Sequence, residues 1–189
     1  YSMADAYIGE LDHLGAALVV TADHGMKPKH DANGEPSVVY VQDLLDQWLG
    51  EAKARVILPI TDPYVVHHGA LGSFATAYLP AEVDPAEITE KLSNIDGILL
   101  VINKSEAVKR FDLPPDRIGD VVIISTENMT LGTSVDRHDL EALKEPLRSH
   151  GGLTEQEVPF IVNRKIDLPA VPILRNYDAF FYASIAANT

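Results

Sequence analysis

The sequence predicts an α/β fold, in which part of a doubly wound sheet carries a small inserted α/β module. Short apolar runs typical of buried strands alternate with segments of helical periodicity, as in a sheet covered by helices on both faces. Residues 55–113 instead break into shorter runs separated by prolines and glycines, and the stiff segment Leu113-Pro114-Pro115 ends them. We therefore predict a core formed by residues 1–54 and 114–189, with residues 55–113 as a cap-like insertion.

The chain opens with a predicted helix and a predicted strand. Apolar residues from Met3 to Leu14 follow helical spacing, which predicts an amphipathic helix ending near Gly15. Residues 16–21 form a continuous apolar run, which predicts a strand buried on both faces of a parallel sheet. Because the first residue is Tyr1 and the helix starts at once, we expect the chain to be a piece of something longer.

The remaining elements follow from the same signals. A polar loop over residues 27–37 precedes a helix that apolar spacing places at 41–49, closed by Gly50. Within the insertion, Asp84-Pro85 supplies a cap and a first-turn proline for a helix. We predict strands at 56–60, 64–67, 73–79, 98–102, 120–125 and 159–162, and helices at 86–92, 136–147 and from Tyr177 onward.

Composition and charge exclude several classes of function. The 189 residues include 28 acidic and 15 basic side chains, so a net charge of −13 argues against nucleic acid or a membrane surface as partner. The sequence has no signal-peptide pattern and no apolar run of membrane-spanning length, and we expect a soluble, cytoplasmic protein. Any anionic substrate needs local positive charge, and metal ions are an obvious source.

Two histidine motifs carry the candidate chemistry. Asp23-His24-Gly25-Met26 follows the first predicted strand, and Gly25 allows the backbone to curl so that Asp23 and His24 converge on one metal ion. His150-Gly151-Gly152 follows a predicted helix much later. A purely structural role remains open for both motifs: Asp23 capping a turn with His24 bound to backbone, and His150 at a helix end capped by Gly151.

The other histidines give weaker signals. His30 lies near Lys27 and Lys29, where it could contact an anionic substrate, although a solvated loop is favoured. The pair His67-His68 has no third ligand at a suitable spacing and is interpreted as structural. His13 and His138 fall among polar neighbours on predicted helices, so we expect them at the surface.

The runs Thr21-Ala22-Asp23-His24-Gly25-Met26 and Ser149-His150-Gly151-Gly152, with the flanking Lys27-Pro28-Lys29 and the first seven residues, resemble the alkaline phosphatase superfamily. The likeness is greatest to its phosphonate-cleaving members, and it covers the C-terminal half of such an enzyme. The resemblance implies an alkaline-phosphatase-like fold with two zinc ions. Asp23 and His24 would bind one ion and His150 the other. Manganese or iron would suit the same ligands.

The resemblance also implies which parts of the site lie elsewhere. Such enzymes add an aspartate and a threonine nucleophile from their first half and an Asp-x-x-x-His pair, which this sequence does not contain. We therefore expect no catalytic nucleophile here, and a partner in the N-terminal half of the same protein. Backbone carbonyls, Glu127 or Asp136 could orient the histidines.

The implied reaction is cleavage of the carbon–phosphorus bond of phosphonoacetate, a small phosphonate, to acetate and phosphate. Two alternatives remain open: another superfamily activity, phosphodiesterase or phosphomutase, and a fragment that is inactive without its N-terminal half. Three ligands divided between two sites are too few for a closed zinc site, so we expect weak metal binding and no turnover from this chain alone. The sequence leaves a homodimer open.

Overall fold

The computed structural model describes residues 1–60, 71–167 and 173–188. These form two compact units, one of Tyr1–Gly25 with Glu157–Thr189 and one of Met26–Gln156. The helices are α1 (Ser2–His13), α2 (Val41–Leu49), α3 (Pro85–Ser93), α4 (Lys104–Phe111) and α5 (Ala179–Ala187). The strands are β1 (Val19–Thr21), β2 (Lys27–Pro28), β3 (Val38–Tyr40), β4 (Arg55–Ile57), β5 (Phe74–Tyr78), β6 (Ile98–Asn103), β7 (Val121–Ser125), β8 (Thr130–Gly132), β9 (Arg148–Ser149) and β10 (Phe160–Val162). The predicted α/β class is confirmed.

The first unit combines α1, β1, β10 and α5. The opening helix forms as predicted and Gly15 follows it with a positive φ of 73°. The expectation of a parallel, doubly buried strand is wrong, because β1 pairs antiparallel with β10 and its residues are only half-buried. An apolar run specifies burial and not strand direction, so the sequence could not distinguish the two pairings.

The second unit is built around a four-stranded antiparallel sheet in the order β4-β5-β7-β6. All residues of β7 are buried, and successive side chains point to opposite faces. Val121 and Ile123 pack in a cluster with Leu45 of α2 and Ile88 of α3, whereas Val122 packs in a second cluster with Ala107 of α4. Helices therefore cover both faces of this sheet.

Local signals located most elements of the second unit correctly. Helix α2 has the predicted bounds and ends at Gly50, which has a φ of 97°. Helix α3 begins where expected, since the Asp84 carboxylate accepts the Ala86 N–H at 2.9 Å. In the first unit, helix α5 and strand β10 are also confirmed. The predicted strand at 64–67 and the His67-His68 pair lie outside the described residues.

The predicted helix over 136–147 is wrong. A short 3-10 turn, Val135–Arg137, is followed by irregular chain. The Thr133 N–H donates to His138 Nε2 at 3.0 Å, which holds the chain in a turn, and the Pro146 ring is incompatible with a helix interior. His138 is only 8% exposed as a result, so the expectation of a surface position is also wrong, whereas His13 is exposed as expected.

The insertion boundary at residue 113 stays a prediction. Strand β7 follows that boundary, yet it pairs with β5 and β6, which precede it. The sheet therefore draws strands from both sides of the predicted boundary. None of the helices formed by the described residues is long and apolar enough to cross a membrane.

Candidate metal centre

Asp23 and His24 converge where the chain leaves β1. The Asp23 Oδ1 atom lies 3.7 Å from His24 Nε2, although adjacent side chains in a regular strand would point apart. The His24 N–H donates to Asp23 Oδ1 at 3.0 Å, and His24 Nδ1 lies 2.8 Å from the Gly25 carbonyl oxygen. The contacts expected of a structural turn are thus present together with the convergence expected of a metal-binding pair.

The hydrogen bond to Gly25 determines which ring nitrogen could bind a metal. A carbonyl oxygen only accepts, so Nδ1 carries the proton, and in the neutral ring Nε2 presents the lone pair. Two ligands of a tetrahedral zinc ion lie roughly 3.4 Å apart, close to the separation of Asp23 Oδ1 and His24 Nε2. The Asp23 side chain is 85% exposed, so a cation can reach it. The pair fits one side of a zinc site.

His150 follows β9 in the second unit, and it is half-buried. Its carbonyl oxygen accepts the Ser73 N–H at 2.8 Å, and the next residue, Gly151, has a φ of 100°. Because no helix forms over 136–147, the alternative interpretation of His150 as a residue at the end of that helix is wrong. The glycine at position 151 is explained by its positive φ, which side chains disfavour, and not by a role as a helix cap.

The three predicted ligands are divided between the units. Asp23 and His24 belong to the first unit and His150 to the second. Within the described residues, no group of three or more histidine, aspartate or glutamate side chains is arranged to hold a metal ion. The assignment of these residues to two metal ions therefore stays a prediction.

A buried ion pair that the sequence analysis missed lies beside the second motif. Lys29 Nζ is 3.0 Å from Glu155 Oε1, and the two side chains are 0% and 1% exposed. Lys29 Nζ also donates to the Glu127 carbonyl oxygen at 2.6 Å. Glu155 Oε2 accepts the Gly152 N–H at 2.7 Å. The spacing of Gly152 and Glu155 matches that of a capping box, and it was the local signal for the contact between these two residues.

Burial and hydrogen bonding act in opposite directions on the ionisation of this pair. Burial lowers the pKa of Lys29, and the hydrogen bond and negative charge of Glu155 oppose that effect. Burial alone would raise the pKa of Glu155. Hydrogen bonds from Thr154, Lys29 and the Gly152 N–H outweigh it, and the pKa lies below its usual value. The glutamate is therefore ionised at neutral pH.

The other candidate site residues named in the sequence analysis are engaged in contacts of their own. Glu127, a candidate support for the histidines, pairs instead with Lys27, whose Nζ lies 2.8 Å from Glu127 Oε1. His30 Nδ1 lies 2.8 Å from the Asp31 carbonyl oxygen, in a turn where the Asp31 carboxylate accepts the N–H groups of Asn33 and Glu35. Lys29, which the sequence analysis named as a neighbour of His30 in a polar loop, is fully buried.

Comparison with solved structures gives a strong similarity to a characterised enzyme. The chain is 69% identical to phosphonoacetate hydrolase from Sinorhizobium meliloti 1021, with a TM-score of 0.91, in its complexes with phosphonoformate and with phosphonoacetate. The match covers 98% of this chain and 46% of that one. Murine ectonucleotide pyrophosphatase/phosphodiesterase 5 is 21% identical over 77% of this chain and 33% of its own, and its TM-score of 0.46 is too low to support an argument. No family model matches the chain.

The resemblance to phosphonate-cleaving enzymes of the alkaline phosphatase superfamily, predicted from the two histidine motifs and their flanking residues, is confirmed by this similarity. The similarity to phosphonoacetate hydrolase extends over almost all of the chain. The chain spans a little under half, 46%, of the length of that relative.

Proposed function

We propose that this chain supplies part of the active site of an enzyme that hydrolyses phosphonoacetate to acetate and phosphate. The observation that carries the proposal is the 69% identity to a phosphonoacetate hydrolase solved with phosphonoacetate and with phosphonoformate. In the reaction, water adds oxygen to phosphorus, the carbon–phosphorus bond breaks, and the departing carbon takes up a proton. Because this chain spans 46% of that relative, the activity belongs to a longer polypeptide.

This chain would supply some, but not all, of the ligands of two metal ions. Asp23 and His24 fit one zinc ion, with His24 oriented by its bond to the Gly25 carbonyl group, and His150 is assigned to the second. Manganese and iron suit the same donors. When bound, such ions neutralise phosphonate oxygens and lower the pKa of an attacking group. Three ligands do not complete two sites, so the nucleophile and further ligands belong to the rest of the enzyme.

Exposed apolar side chains in the first unit support a partner in the remaining part of the enzyme. Met3 and Leu14 of the α1 segment are 74% and 79% exposed, and Phe180 and Phe181 of α5 are 84% and 56% exposed. Soluble proteins rarely leave contiguous apolar faces uncovered. We propose that the part of the enzyme that this chain does not match packs against these helices.

The test compares substrates and metals in the full-length enzyme. Phosphate release from phosphonoacetate should exceed release from phosphate diesters, should cease after chelation, and should return on addition of zinc. A preference for diesters would refute the phosphonatase assignment, and full activity after exhaustive chelation would refute the metal assignment. Zinc, manganese and iron added back separately would identify the metal.

The same assay applied to this chain alone tests the division of the site. We expect no phosphate release and only weak zinc binding, because three ligands and no nucleophile are present. Addition of the remaining part of the enzyme as a separate polypeptide should restore turnover. Substantial phosphate release by this chain alone would show that the site is complete within it.

A further inference from the structure

We propose that the buried ion pair between Lys29 and Glu155 is a positioning device for His150. The segment His150–Gly152, which we call the His150 loop, is held by this pair in the conformation that presents His150. The inference rests on the proposed function, in which His150 is a metal ligand.

Glu155 binds the far end of the His150 loop directly. Its Oε2 atom accepts the Gly152 N–H at 2.7 Å, and its Oε1 atom accepts from Thr154 Oγ1 at 2.6 Å and from Lys29 Nζ at 3.0 Å. A bond from a backbone N–H to a buried carboxylate is among the stronger hydrogen bonds of proteins. The position of Gly152 is therefore set by where the Glu155 carboxylate lies.

Lys29 fixes that carboxylate to the strand on the near side of the loop. The Lys29 N–H donates to the Leu147 carbonyl oxygen at 2.8 Å, and the Lys29 carbonyl oxygen accepts the Ser37 N–H at 3.0 Å. Strand β2 pairs with β9, which ends immediately before His150. The Lys29 side chain thus links the backbone that precedes the loop to the carboxylate that holds its end.

A stabilising role alone does not require charged residues here. Removing two charges from water is costly, and replacing a buried ion pair by apolar residues of similar size often leaves stability unchanged or raises it. An apolar side chain cannot accept the Gly152 N–H, however. The ion pair adds a hydrogen-bond acceptor for the Gly152 N–H whose position and direction are fixed. Lys29 is fully buried, so it does not itself touch substrate.

The test uses a variant that removes both charges together. In the full-length enzyme, K29M/E155L should still fold, at a lower melting temperature because the Gly152 N–H loses its acceptor, and should lose about 10- to 100-fold in zinc affinity or in kcat, with a smaller change in KM. The matched control is K91M/E87L, which makes the same substitutions in the exposed pair of α3, where Lys91 Nζ lies 2.7 Å from Glu87 Oε1. It should match the wild type in all four measurements, namely thermal stability, zinc affinity, kcat and KM.

Hydrogen exchange gives a readout that does not depend on activity, and its wild-type measurement does not require any variant to fold. In the wild-type chain, the Gly152 amide should exchange slowly, because it donates to a buried carboxylate. In K29M/E155L its exchange should accelerate while core amides such as that of Ile123 remain protected. Fast exchange of Gly152 in the wild type, or normal zinc affinity and kcat in a stable double variant, would overturn the positioning role. If the wild type does not hydrolyse phosphonoacetate, the proposed function fails separately.

Discussion

Replacing Gly152 with alanine tests how tightly the His150 loop is packed. The backbone there is extended, with φ of −95° and ψ of 179°, which alanine adopts without strain. Any effect of the substitution therefore comes from contacts of the added methyl group. A Cβ atom at this position would lie 2.8 Å from Glu155 Oε2 and 2.8 Å from Ser73 Cβ.

The cost can be worked out from those two distances. Carbon atoms in favourable contact lie about 3.5–4.0 Å apart, so Ser73 or the loop must move by more than half an ångström. Inserting a methyl group into a packed site costs about 1–3 kcal/mol. Loosening the bond between the Gly152 N–H and the Glu155 carboxylate adds roughly 1.5–3 kcal/mol. Together these terms predict a loss of about 2.5–6 kcal/mol in the free energy of unfolding.

Urea denaturation followed by circular dichroism measures this loss as a lower midpoint at unchanged slope. The control is Gly9→Ala in α1, where the added Cβ meets no atom within 4 Å, so it should stabilise the helix by up to about 1 kcal/mol. A second substitution, Ser73→Gly, removes one of the two close contacts and should recover part of the loss. If G152A stays within about 0.5 kcal/mol of the wild type, the loop is not packed as described.

Three further expectations concern the second unit. Gly119→Ala should lower the urea midpoint more than G152A, because the new Cβ would lie 2.4 Å from Thr76 Oγ1 and 2.5 Å from the Ala77 carbonyl oxygen; equal midpoints would contradict this. Asp84→Ala should cost about 0.5–2 kcal/mol by removing the cap of α3, and an unchanged melting temperature would count against that cap. The pKa of Glu155 is lower in the folded protein than its unfolded value near 4.5, so ionised Glu155 stabilises the fold fully above that value. This stabilisation is lost as the pH falls through the pKa of the folded state. Over that acidic range the urea midpoint of the wild type should therefore fall more steeply than that of K29M/E155L.

Local chemistry explains which parts of the fold could be predicted from the sequence. The bounds of α2 and α3 follow from Gly50 and from Asp84-Pro85, signals that act within a turn of the helix itself. The region 136–147 has helical composition, but a side-chain bond from Thr133 to His138 and a late proline decide its conformation. Strand direction in β1 depends on β10, more than a hundred residues away, and no local pattern records it.

In the candidate site, too, features set by local contacts could be predicted and features set by distant contacts could not. Convergence of Asp23 and His24 could be predicted because one glycine turns the chain directly after them. The burial of Lys29 could not, since the glutamate that neutralises it lies 126 residues further on. A lysine in a polar loop with Pro28 and Asn33-Gly34 is ordinarily solvated, and only the folded structure shows that this one is enclosed.

The ion pairs of Lys27 and Lys29 bear on which groups could supply positive charge to a phosphonate substrate. Lys27 pairs with Glu127 and Lys29 with Glu155, so each positive charge of this segment faces a negative one at 2.8 or 3.0 Å. In a chain of net charge −13, a phosphonate anion would be repelled unless other positive charge is close. On the proposed function, metal ions at the predicted ligands or other basic side chains of the enzyme would supply it. If the metal ions supply most of it, chelation of the full-length enzyme should weaken phosphonoacetate binding as well as stop turnover, measurable by calorimetry with the metal-free protein. Undiminished binding without metal would assign that charge to basic side chains of the enzyme instead.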